Sequence, residues 1–152
     1  MLMRWLFAAV HLLALGVGLG AVWARGRALR NGLDAAGFRR VFYADSWWGI
    51  AALLWIGTGL VRAFGGLEKG SAYYLHNHLF WGKMALLVVI LLLELGPMMG
   101  LIRWRLQLAR GEQPDTRSAA AFARISFLQA VLVMLMVLAA TGMARGYGVP
   151  RG

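Results

Sequence analysis

The sequence holds no cysteine, only three histidines, and six acidic residues among 152. Without a thiol it forms no disulfide, no thiolate metal site, no iron–sulfur cluster and no cysteine nucleophile. No Gly-rich phosphate loop, Ser/His/Asp set or pair of catalytic carboxylates stands out. Charged residues make up 14% of the chain and apolar ones 61%, against roughly 25% and about 45–50% in ordinary globular proteins. A soluble fold of this length, about one domain, does not hide that much hydrocarbon, which excludes a water-soluble enzyme. The scarcity of acid leaves a net charge of +10. Such a balance suggests nucleic acid in a soluble protein, but in a membrane protein it sets orientation and meets anionic lipid.

The apolar residues fall into runs. Trp5 to Ala24 is uncharged, as is Ile125 to Ala144 between Arg124 and Arg145. Twenty residues at about 1.5 Å each cover the ~30 Å hydrocarbon core of a bilayer. Ser46 to Val61 is a shorter run between Asp45 and Arg62, and Leu75 to Ile102 is interrupted only by Lys83 and Glu94. Gly96-Pro97 is expected to bend the end of that third span. The reading is an all-α, integral membrane, up-down four-helix bundle forming a single domain, with helices at about 3–24, 44–64, 75–102 and 122–145. The first run is too long, and too bulky at Trp23, for a cleaved secretory signal, so it is read as a retained helix.

The arginines orient the bundle. Arg25, Arg27, Arg30, Arg39 and Arg40 follow the first span, and Arg103, Arg105, Arg110, Arg117 and Arg124 join the third to the fourth. The opposite side carries Arg4, Arg62, Lys69, Arg145 and Arg151. The positive-inside rule then places both termini outside. Aromatic belts are expected from Trp5, Tyr73, Tyr74 and Tyr147 at the outer interface, and from Trp23, Tyr43, Trp47, Trp48 and Trp104 at the inner one. Because the basic loops are accounted for as topology determinants, no nucleic-acid partner is expected.

Ionisable groups at membrane depth cost at least ~2.5–3.5 kcal/mol each and mark function by default. Here they are His11, Lys83 and Glu94, with His76 and His78 at the outer end of the third span. His11 lies seven residues past Arg4, about 10 Å down a helix, and Lys83 enters to a similar depth. At about 100° per residue, His76, Lys83 and Glu94 share one face within ~20°, continued by Phe80, Leu87 and Ile90. His78 projects almost opposite His76, beside Gly82 and Ala85. Ala14 and Gly18 continue the face of His11, while Gly16 and Gly20 form a small-xxx-small pair that allows a homodimer. Glu94 is expected to neutralise Arg103 or Arg124. A buried imidazole in lipid needs a partner, and neutral imidazole is a strong ligand for haem iron, whose apolar disc suits a bundle interior. Spacing therefore points to haem b, with His11 as one axial ligand and His78 or His76 as the other. Gly18 would lie beside the porphyrin, and Lys83 would meet a propionate or the carboxylate of a porphyrin substrate.

The segments "AVHLLALGVGLGAVWARGRALR" around His11, "WIGTGLVR" ending the second span and "HLFWGKMALLVVILLLE" in the third resemble a superfamily of small bacterial membrane proteins. It includes the HemJ-type protoporphyrinogen IX oxidases and the CopD-type copper-resistance proteins, together with a related family of four-helix predicted membrane proteins. The resemblance implies a multi-pass protein of the bacterial inner (cytoplasmic) membrane. In the HemJ-type family a first-helix histidine and a third-helix lysine form the functional pair, with haem b bound. By position these are His11 and Lys83, which would make Lys83 catalytic. This chain departs from that pattern in Trp81-Gly82-Lys83, with no histidine between tryptophan and lysine, and in adding Glu94.

Four readings follow. The first is a haem b protein moving electrons between a quinone or porphyrin substrate and a partner. The second is a HemJ-like oxidase. A copper-handling protein would use Met98, Met99, Met134 and Met136 with His76 and His78. The last is an accessory subunit without chemistry of its own.

Overall fold

The computed structural model describes residues 1–64, 77–146 and 148, and for 62–64 and 144 the backbone alone. Four α-helices follow one another: α1 (Leu2–Arg30), α2 (Ala35–Phe64), α3 (His78–Ala109) and α4 (Ala119–Ala144). Among the described residues there is no strand. The all-helical bundle expected from the sequence is what forms.

Three of the helices, α1, α3 and α4 up to Met143, are long and apolar enough to cross a membrane. α2 equals them in length at 30 residues, but its tryptophans, glycines and Thr58 make it less apolar. It packs along α1, which also packs on α4, and α4 packs on α3.

Each helix buries a stripe that recurs about every seven residues, the seam spacing of helices packed side by side. On α1 it runs His11, Ala14, Gly18, Ala21/Val22, Arg25 and Leu29. On α2 it runs Val41, Ala44, Trp48, Ala51, Trp55 and Thr58. On α3, Phe80, Ile90, Pro97, Leu101 and Trp104 are buried, so the inward seam expected on that helix is the one it uses. The remaining faces are greasy and open: Leu13, Leu53, Leu92 and Leu138 are all more than three-fifths exposed. An exposed patch of that extent on a helical bundle is a lipid-facing surface.

The helices continue past the expected ends at the basic pole. α1 runs six residues beyond Ala24, and α3 passes through Pro97 to Ala109. A second core sustains these extensions: Leu29, Phe38, Val41, Leu101, Trp104, Ala119 and Ala123 pack together there. Between α1 and α2 the chain reverses at Gly32 with φ +87°, and the Asp34 carboxylate accepts the Gly37 N–H at 2.7 Å to start α2. At the other pole Asn77, fully buried, caps α3 by accepting from the N–H groups of Leu79 and Phe80. Of the residues expected in aromatic belts, Trp5, Trp23, Tyr43 and Trp47 are exposed. Trp48 and Trp104, by contrast, are 4% and 3% exposed and belong to the core. Tyr73, Tyr74 and Tyr147 lie outside the described residues.

Candidate functional site

Two buried polar centres lie along α1, one on each half of the helix. In the half towards the N-terminus, His11 is 6% exposed and turned towards α2. Its Nδ1 lies 3.0 Å from the Trp55 carbonyl oxygen and 2.9 Å from the Thr58 Oγ1. The Thr58 hydroxyl donates its own proton to the Leu54 carbonyl at 2.7 Å. With the Thr58 proton spent on Leu54 and two acceptors facing it, Nδ1 is assigned an imidazole proton. Gly59 makes room for the ring: a Cβ there would stand 3.1 Å from His11 Cε1. Two turns further along α1, Gly18 lets α2 approach closely, its position facing Trp48 and Ala51 at 3.4–3.6 Å. The space expected for a porphyrin beside Gly18 is filled by α2.

The other predicted site residues sit on or before α3. Lys83 is half-buried, one turn past the buried Phe80. His78 is exposed in the first turn of α3, its N–H donating to the Gly148 carbonyl at 2.8 Å. His76 lies outside the described residues. The Nδ1 edge of His11 faces α2.

The second polar centre was not foreseen. Arg25, expected in a basic loop, is inside α1 and has no exposed surface. Its Nε donates to Ser126 Oγ at 3.0 Å and its Nη2 to Gln129 Oε1 at 2.8 Å, both on α4. Its Nη1 donates to Asp45 of α2 at 2.9 Å and to Glu94 of α3 at 2.6 Å. Trp48 Nε1 donates to the same Glu94 carboxylate at 2.8 Å, and the Gln129 amide donates to the Ile90 carbonyl at 3.1 Å. Arg105 adds a second cation on Asp45 at 3.2 Å. Glu94 therefore neutralises Arg25, not Arg103 or Arg124. The reason is depth: helix geometry carries Arg25 along the same stripe as His11, inward rather than out to the loop.

Two carboxylates and two guanidiniums balance in charge, and all four helices contribute to one hydrogen-bonded cluster. Such a cluster stores its energy in completeness, because removing one partner leaves a buried charge behind. A signal for it was present. Extending the His11, Ala14, Gly18 face by one more heptad lands on Arg25, and Ser126 and Gln129 are, with Thr141, the polar exceptions in an otherwise apolar run.

At the basic pole the α3–α4 connection forms a cleft of about 280 Å³ lined by residues that include Arg103, Gln107, Ser118 and Phe122. Asp115 on its rim is held below the ordinary carboxylate range by hydrogen bonds from Arg117, whose guanidinium is raised in turn.

Residues 3–148 match the family described as Predicted membrane protein (DUF2214). The chain belongs to this family. The match runs through all four helices, and with the three long apolar helices it makes the chain a membrane protein. No curated protein and no solved structure matches it.

The geometry bears on the copper reading. Met98, Met99 and Met134 are exposed while Met136 is buried in the core, so these sulfur atoms are not gathered at one point. Among the described residues no group of three or more His, Asp or Glu side chains is placed to hold a metal ion.

Proposed function

We propose that this family member is an integral membrane haem b protein that moves electrons within the bilayer, with His11 as an axial ligand. The observation that carries the reading is the pinning of His11 Nδ1–H by the Trp55 carbonyl and Thr58. Ligating histidines are characteristically held this way: the distal N–H is anchored to a carbonyl or similar acceptor, which fixes the ring and leaves Nε2 for the metal. A single axial histidine needs no cluster of other metal ligands, so the donor set at His11 fits haem better than a bare ion.

Bound haem supplies a one-electron couple between ferric and ferrous iron, tuned by its axial ligands. The chain's own residues do the rest. Thr58 and Trp55 orient the imidazole and raise its basicity. Trp55, 3% exposed, excludes water from that side. Lys83 supplies a point charge for a propionate. A second ligand to the iron would come from His78, from His76 or from outside the chain.

The decisive measurement is a reduced-minus-oxidised spectrum of protein purified from haem-replete cells. A cytochrome b α-band that is lost in His11→Ala is expected, with Thr58→Val shifting the midpoint potential while retaining haem. A colourless preparation overturns the reading.

The half-buried position of Lys83 favours one variation, in which porphyrin is substrate rather than cofactor, as in the HemJ-type oxidases. That variation expects rescue of a strain lacking protoporphyrinogen oxidase, abolished by Lys83→Ala; well-expressed protein that does not rescue removes it.

A further inference from the structure

The cleft between α3 and α4 holds polar groups that the bundle leaves unused. Its wall includes Gln107, whose side-chain Oε1 is buried and has no hydrogen-bond partner. A buried acceptor without a donor costs roughly 1–3 kcal/mol, so such groups in native folds call for a bound donor. Beside it stands Arg103, whose guanidinium has no carboxylate or hydrogen-bonding partner among the described residues. The neighbouring cations divide in two. Arg105 is spent on Asp45, and Arg117 on Asp115 at 2.7 Å, so the one carboxylate on the cleft is already neutralised. Arg110, just past α3, and Arg124, on α4, form no ion pair among the described residues.

Ser118, the residue preceding α4, makes no side-chain cap bond and lines the same cleft. The floor is shaped by a close approach. Gly100 faces the Phe122 ring, and a Cβ at Gly100 would overlap it. Trp104 closes the far side, its Nε1 donating to the Asp115 carbonyl at 3.1 Å.

Depth identifies the neighbourhood. Along α3 the cleft residues Gly100 to Gln107 lie about 33 to 44 Å from His78 at 1.5 Å per residue. That is past a ~30 Å hydrocarbon core and level with phospholipid headgroups. Basic pockets between transmembrane helices at this level recognise anionic headgroups.

We infer that this cleft binds the headgroup of an anionic phospholipid bearing a free hydroxyl, with Arg103 on the phosphate and Gln107 Oε1 accepting from the hydroxyl. The hydroxyl follows from the orphan acceptor, since a choline headgroup offers no donor. The negative charge follows from the unpaired Arg103, which disfavours an ammonium headgroup. The site is independent of haem at His11, on the opposite half of α1.

The test uses full-length protein, delipidated in detergent and reloaded with phosphatidylglycerol, phosphatidylcholine or inorganic phosphate. Native mass spectrometry counts retained lipid and thermal unfolding reads stabilisation. Phosphatidylglycerol is expected to be retained at one molecule per chain and to raise the melting temperature, while phosphatidylcholine and inorganic phosphate do neither. Arg103→Gln, at an exposed position, should weaken retention by about fivefold, the effect of one interfacial cation. Gln107→Leu should remove the preference for phosphatidylglycerol over an anionic lipid lacking a headgroup hydroxyl. Equal retention by wild type and Arg103→Gln overturns the site. Equal stabilisation by inorganic phosphate overturns its assignment to lipid.

Discussion

Arg25 and His11 share a stripe on one helix yet are satisfied in different ways. Arg25 is saturated by charge: its guanidinium meets two carboxylates, a serine and a glutamine drawn from three other helices. His11 is held at Nδ1 by a neutral carbonyl and a hydroxyl from α2. Removing an acid from around Arg25 exposes the cost of burying it. Glu94→Ala is expected to destabilise the protein by about 3–5 kcal/mol, read as a lowered melting temperature in detergent. Glu94→Gln, which keeps an acceptor for Arg25, should lose less. An unchanged melting temperature in Glu94→Ala would mean that Asp45 alone holds the cation. His11 was legible in the sequence because an imidazole in an apolar run is conspicuous. Arg25 was not, because an arginine after a long apolar run looks like the start of a loop until its partners are known.

Among the helices, the seven-residue seams were readable and their lengths were not. The face of α3 carrying Phe80 and Ile90 was visible in spacing alone. The continuation of α1 to Arg30 and of α3 to Ala109 depends on the second core around Trp104 and Phe38, where arginine-rich turns stay helical because their other faces pack. Proline at 97 does not end α3. Its ring is buried against neighbours, and only one N–H is lost. Helix approach at this end depends on small residues facing rings. Gly100→Leu would force the Phe122 ring aside and is expected to cost about 1–3 kcal/mol, measured by thermal unfolding. The double variant Gly100→Leu with Phe122→Ala should recover part of that loss. A Gly100→Leu protein as stable as wild type would show that α3 and α4 slide freely past one another.

Taken whole, the molecule is an antiparallel bundle whose two connections of greatest basicity lie at one pole. A positively charged pole is retained on the cytoplasmic side, so both termini should face the other way. The chain has no native cysteine, so single-cysteine variants report this directly. Met3→Cys should react with a membrane-impermeant maleimide added outside intact cells, and Gly111→Cys only after lysis. The reverse pattern would invert the bundle. The sequence by itself determined the class, the seams and the orientation signal, because hydropathy, helical period and loop charge are local properties of the chain. The tertiary structure alone decided which polar groups meet. Whether Glu94 faces Arg25 or Arg103, whether Gly18 lies against a cofactor or Trp48, and whether Gln107 finds a donor all depend on the relative depth and rotation of separate helices, which packing sets and no single segment encodes.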